Sequence, residues 1–182
     1  MIFPLFRRSQ RRDTISGLYG TIVAQARMPS FYRDWAVPHT LNGRFELIVL
    51  HLALLLDRLA KDPALRHLGQ AVFGRFCQDM DQNLREMGVS DLAVPTEMRR
   101  MGEAFYGRAQ AYRAALAATD DGTLAEVLAR NIYGVAGPVP AAARLAAYMR
   151  EAVRDLEAQD STRLAAGSLH FPEQAKVSAD AG

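Results

Sequence analysis

Apolar residues recur every three to four positions along most of this chain, and in one stretch they become nearly continuous. From Leu47 to Leu56 only His51 interrupts the apolar run, and Glu46 and Asp57 close it off with charge. Ten residues of helix reach about 15 Å, half of a bilayer core, so the run predicts a buried helix and not a membrane span. A helix apolar on all sides belongs at the centre of a bundle with amphipathic neighbours around it. The pattern predicts that helix over about 42–60, in an all-α, single-domain bundle of about six helices.

The other elements follow from weaker periodicities. Asp13 or Thr14 is placed to cap a first helix carrying Ile15, Leu18, Ile22 and Ala26, which Pro29 ends. Asp62 and Pro63 read as the start of a third helix, antiparallel to the central one, with a stripe of Leu65, Leu68, Val72, Phe76, Met80, Leu84 and Met87 and a stop at Gly88. Pro95 opens a helix to about Ala118 with Met98, Met101, Phe105, Ala109, Tyr112 and Leu116 inward. Thr123 and Glu126 have capping-box spacing ahead of Leu124, Val127, Leu128 and Ile132, and Gly134 follows as a stop. Beyond Gly137, Pro138 and Pro140, a last helix repeats Leu145, Tyr148, Met149, Ala152, Val153 and Leu156. The expected division is a flexible basic and aromatic arm over 1–12, a helical domain over 13–158, and a largely disordered tail over 159–182.

Composition narrows the class without naming a function. With 182 residues, 49% apolar and 23% charged, the chain can bury one real core. A net charge of +2 does not announce a DNA partner. The single cysteine, Cys77, excludes an intrachain disulfide and a cysteine-cluster metal site. At the N-terminus the apolar residues precede the arginines, the reverse of a cleavable signal, so a cytoplasmic location is expected.

Three stretches carry candidate chemistry. Phe31, Tyr32 and Trp35, between Pro29 and Pro38, either plug the bundle end or form a binding surface. Around the end of the third helix, Asp79 shares a face with Asn83, and Asp81 with Arg85, beside Glu86. A magnesium-diphosphate site there needs a further acid at Asn83 and a second acidic motif, and neither is present. Arg7, Arg8, Arg11 and Arg12, after Phe3, Leu5 and Phe6, could meet an anionic membrane surface or ribosomal RNA, or remain a solvated terminus. His51 has no acid or second histidine one helical turn away and reads as a hydrogen-bonded core residue. Glycine-rich phosphate loops, histidine clusters and nucleophile elbows are missing, so no catalytic residue, metal or cofactor is expected.

Longer strings bring in a resemblance. LYGTIVAQAR at 18–27, PSFY at 29–32, GRFELIVLHLALLLDRL at 43–59 and FCQDMDQNLREMGVSDLAVP at 76–95, extended by EAFYGR at 103–108 and RNIYG at 130–134, resemble the ubiquinol-cytochrome c chaperones, in a bacterial-type form. His39 departs from the family pattern, which has Asp after Val-Pro, so Thr40 or Asn42 is left to cap the central helix. The resemblance implies a helical, non-enzymatic assembly factor for respiratory complex III that holds newly made cytochrome b. Mitochondrial relatives work near the ribosomal exit tunnel with a small partner. Such a client is a set of membrane helices briefly without lipid, and a groove with apolar walls and a charged rim suits it. Phe31, Tyr32, Trp35, Asp79, Asn83, Arg85 and Glu86 are the candidate client contacts, and Arg7, Arg8, Arg11 and Arg12 the candidate contacts to a ribosome or the inner-membrane surface. Two other classes compete: a membrane-surface helical adaptor, and a small all-α metal-dependent enzyme.

Overall fold

The structure, a computed structural model, describes residues 3–118 and 120–173, with side chains from Gln10 onward apart from Asp121. Its elements are α1 (Phe3–Ala26), α2 (Pro29–Arg33), α3 (Leu41–Ala60), α4 (Arg66–Glu86), α5 (Val94–Ala117), α6 (Asp121–Leu128), a π-helical turn (Ala129–Tyr133), α7 (Pro140–Ala158) and α8 (Ser161–Ala165). The fold is all-α, and no strand occurs among the described residues.

The central helix is α3. Thr40 caps it, its hydroxyl accepting the Gly43 N–H at 3.1 Å. Gly43 is sterically required, because a Cβ there would meet the Pro38 carbonyl oxygen at 1.9 Å. Twelve of its residues are buried, on every side of the helix. Each fully buried leucine contributes about 1.5–3 kcal/mol of transfer free energy, so α3 organises the packing of everything else. Phe45 meets Phe76 near one end of the α3–α4 pair, and Gly69 lies against Leu56 and Leu59 near the other, which makes the two helices antiparallel. An aromatic layer joins α4 to α5, with Phe73 and Phe76 against Phe105 at 5.0 and 5.9 Å.

Several boundaries differ from the sequence reading. Helix α1 begins at Phe3, so the backbone of 3–12 is helical and continuous with the rest of α1. Thr14 does not cap: its hydroxyl donates to the Gln10 carbonyl at 3.0 Å, the back-bond of a helix interior. Asp62 accepts from the Ala64 N–H in a turn, and α4 starts only at Arg66. Asp120, not Thr123, caps α6, accepting the Thr123 N–H at 2.7 Å. Met87 is 56% exposed, since the α4 stripe leaves the core one turn earlier, at Leu84.

The proposed tail boundary at 159 also falls inside packed structure. Gln159, Leu164, Leu169 and Phe171 are buried, and Asp160 caps α8 through the Thr162 and Arg163 N–H groups. A five-residue helix carries too little periodicity to be read from sequence. The expected disorder of the last residues concerns 174–182, which lie outside the described residues.

Candidate functional site

The sequence-selected residues divide by environment. Phe31 and Trp35 are buried and contact each other edge to face at 5.4 Å. Phe31 also meets His51 and Tyr148 at 5.5 and 5.2 Å. Tyr32 is half-buried, its hydroxyl donating to the Ala26 carbonyl at 2.5 Å. Phe31 and Trp35 thus pack inward against the middle of α3 and α7 and not at a bundle end, and Tyr32 is tied to the end of α1.

At the end of α4, the carboxylates are largely engaged. Asp79 accepts the Tyr19 hydroxyl at 2.9 Å and lies 3.6 Å from Arg75, whose guanidinium sits over the Tyr19 ring. Burial and the Asp79 carboxylate together push the Tyr19 phenol well above its usual pKa. Asp79 is therefore a bolt between α1 and α4. Arg85 pairs with Asp81 at 2.7 Å and with Asp91 in the following turn. Asn83 and Glu86 are exposed, and Glu86 accepts from Gln82 at 2.8 Å. No set of three histidine, cysteine or carboxylate groups converges among the described residues. Arg11 and Arg12 are exposed on α1, and Arg11 borders a shallow concavity with His67 and Leu68. Arg7 and Arg8 lie among the residues whose side chains are not described.

A cleft that the sequence did not reveal runs between α3, α5 and α7, with a volume of about 410 Å³. Its walls are Ala53, Leu54, Ala109, Leu116, Val153 and Leu156, together with Tyr112. Charges close over the top: Arg113 of α5 pairs with Asp57 of α3 at 2.9 Å, and Lys61 of α3 pairs with Glu157 of α7 at 2.6 Å. Glu157, then Asp57, hold the Lys61 ammonium above its ordinary pKa. Arg58 donates to the Leu156 and Gln159 carbonyls at 2.9 and 3.0 Å, completing the C-terminal end of α7. The small side chains Ala53 and Ala109 open the space, and the rim charges stand at helical positions just past the apolar ones. Read one helix at a time, these are ordinary amphipathic edges. Only their convergence from three helices makes a groove.

The groove combines apolar walls, suited in shape and polarity to aliphatic side chains, with both signs of charge held in exposed ion pairs at its rim.

Apart from the cleft, α3 carries two buried polar groups. Glu46 is fully buried and bonded by both oxygens to Arg108 of α5, at 2.5 Å each. Burial pushes its carboxyl up, with Arg108 pulling against it. His51 is also fully buried. Its Nδ1–H donates to the Leu47 carbonyl at 2.7 Å, so Nε2 accepts from the Tyr148 hydroxyl at 2.8 Å. Burial lowers the His51 pKa to about 4, which makes it a neutral core residue. No helix among the described residues is long and apolar enough to cross a membrane.

Comparison with known proteins agrees with this architecture. A family model described as ubiquinol-cytochrome C chaperone matches residues 33–171. The ubiquinol-cytochrome-c reductase complex assembly factor 1 of Xenopus laevis is 26% identical over 149 residues, covering 81% of this chain and 74% of that protein. The crystal structure of the Cbp3 homolog from Brucella abortus aligns with a TM-score of 0.87 and 38% identity, over 97% of this chain and 99% of that one. With its bundle built around α3 and matched by both sequence and structure, the chain belongs to the ubiquinol-cytochrome C chaperone family.

Proposed function

We propose that this protein is an assembly chaperone of ubiquinol-cytochrome c reductase that holds newly made cytochrome b, acting by binding and not by catalysis. The observation that carries the reading is the family match across residues 33–171. The assembly-factor name of the Xenopus relative points the same way. The α3–α5–α7 cleft has the properties such a client needs: walls for the aliphatic side chains of a helix without lipid, and a rim for the charges that flank it. It is preferred to the acidic end of α4 because it joins apolar walls to its charges, whereas Asp79 there is held in the α1–α4 contact by Tyr19 and Arg75. Exposed Arg11 and Arg12, with Arg7 and Arg8 before them in sequence, supply an approach to the anionic surface of the inner membrane from its cytoplasmic face.

The test is co-purification of tagged protein with newly made cytochrome b at matched abundance. Ala109→Phe, which fills the cleft, should reduce capture at least fivefold while Glu86→Lys, at an exposed position at the end of α4, retains it. Leu50→Ala is the contrast, because truncating a fully buried leucine of α3 costs about 2–5 kcal/mol and lowers abundance first. Undiminished capture by a folded Ala109→Phe protein would remove the cleft assignment. Normal complex III after deletion of the gene, in cells that respire through that complex, would remove the function.

A further inference from the structure

The segment after α8 lies in a crevice of its own. At Gly167 the chain turns with φ +89, pressed so closely on α1 that a Cβ would sit 3.1 Å from the Thr14 Cα. Beyond it, Leu169 and Phe171 are buried while Ser168 and His170 are exposed, the two-residue alternation of an extended strand. The Gln159 carboxamide brackets the middle residue, accepting the His170 N–H at 3.2 Å and donating to the His170 carbonyl at 3.0 Å. A neighbouring β-strand would offer that same pair of bonds, so the Gln159 contact reads main chain, while the His170 imidazole separately meets the Asp155 carboxylate at 3.2 Å. Phe171 stands edge-on to His51 at 4.9 Å, and Gln25 reaches toward the Pro172 carbonyl at 3.5 Å.

The side-chain donors of the seat under this strap keep partners without it. Gln25 donates to the Tyr148 hydroxyl at 3.0 Å, Tyr148 donates to His51, and His51 donates to Leu47. Gln159 also donates to the Asp155 carboxylate at 3.0 Å. Lifting Leu169–Pro172 therefore strands none of these side-chain donors in an apolar space, which is the usual obstacle to vacating a buried site.

We propose that this crevice is a recognition site for an extended segment of a partner polypeptide with an aliphatic residue two positions before an aromatic one, and that Leu169–Pro172 occupies it in cis as a competitor. This rests on the reading of the protein as a holder of apolar polypeptide, and adds a second, strand-type contact governed by the chain's own C-terminal strap.

Hydrogen exchange on the wild-type protein is the first test. The His170 amide should exchange at least tenfold faster than the Leu50 amide, through an opening separate from global unfolding. Equal protection would make the strap part of the core and overturn the proposal, whatever the behaviour of any variant. The second test uses a fluorescent peptide copying residues 167–173 and the full-length Phe171→Ala protein. That protein should bind the peptide at least tenfold more tightly than wild type, and adding Gln159→Ala should abolish the gain. Equal binding to wild type and to a cooperatively melting Phe171→Ala protein would also overturn it. Neither readout contains cytochrome b, so failure here is distinct from failure of the chaperone assignment.

Discussion

Glu46–Arg108 and Asp81–Arg85 join the same two kinds of group, a carboxylate and a guanidinium, in opposite surroundings. The first crosses from α3 to α5 with the carboxylate fully buried; the second lies within α4, both side chains at least 40% exposed. Around Asp81, water already solvates each charge and the ion pair replaces one good interaction with another. Around Glu46, water is gone, and Arg108 is what makes a charge tolerable there. Sequence reading favoured the exposed pair because acid and base stood one helical turn apart. The consequential pair spans 62 residues.

The largest effect should come from separating the buried partners. Arg108→Ala should destabilise the fold by about 3–5 kcal/mol at pH 7, read from urea unfolding, because it leaves a carboxylate without its partner in the interior. Glu46 already has a raised pKa, and losing Arg108 raises it further. A group with a raised folded pKa is most favourable below its unfolded value and loses ground as pH rises, so the defect should shrink between pH 7 and 4. A constant defect across that range would mean that lost packing, not charge, explains it. Glu46→Gln/Arg108→Met should recover part of the loss.

Next in size is His51, a buried group with no ion-pair partner. Its folded pKa of about 4 lies below the ordinary histidine value, so the unfolded chain takes up the proton first as pH falls. The stability it permits is whole above about pH 6.5 and is lost progressively down to about pH 4, on the order of 3 kcal/mol. His51→Gln should flatten that part of the pH profile relative to wild type. Parallel profiles would show that the imidazole is not the group responsible.

The smallest effect belongs to the exposed pair. Asp81→Asn should leave the thermal midpoint where it is, even though Arg85 holds the Asp81 carboxyl below its usual pKa, because that shift arises in water. A clear drop would place Asp81 on the buried side of the comparison.

Much of the architecture was legible in local pattern. The central helix was placed within a residue of its observed start and ends at Ala60, because a continuous apolar run between charges permits one outcome. Thr40 was one of two residues positioned to cap it, and it does. His51 was read correctly as a hydrogen-bonded core residue, though its partner Tyr148 lies 97 residues away and could not be named. The cleft was harder to see. Ala53, Leu54 and Asp57 look like one edge of a helix until Ala109 and Arg113 from α5 and Val153 and Glu157 from α7 stand opposite them.

Hydrophobic periodicity is a property of neighbours in the chain, so the sequence by itself determined the helical class, the identity of the core helix and most of the inward faces. It treated Glu46 and Asp57 alike, as charges bracketing an apolar run. Tertiary structure separated them: Arg108 reaches Glu46 inside the bundle, whereas Asp57 remains at the rim with Arg113 and Lys61. The same holds for the chain after Gln159, whose few apolar side chains show no helical repeat but fit a crevice already formed by α1, α3 and α7. Burial, pairing and clefts depend on which distant surfaces meet, and packing free energy decides that for the whole molecule at once.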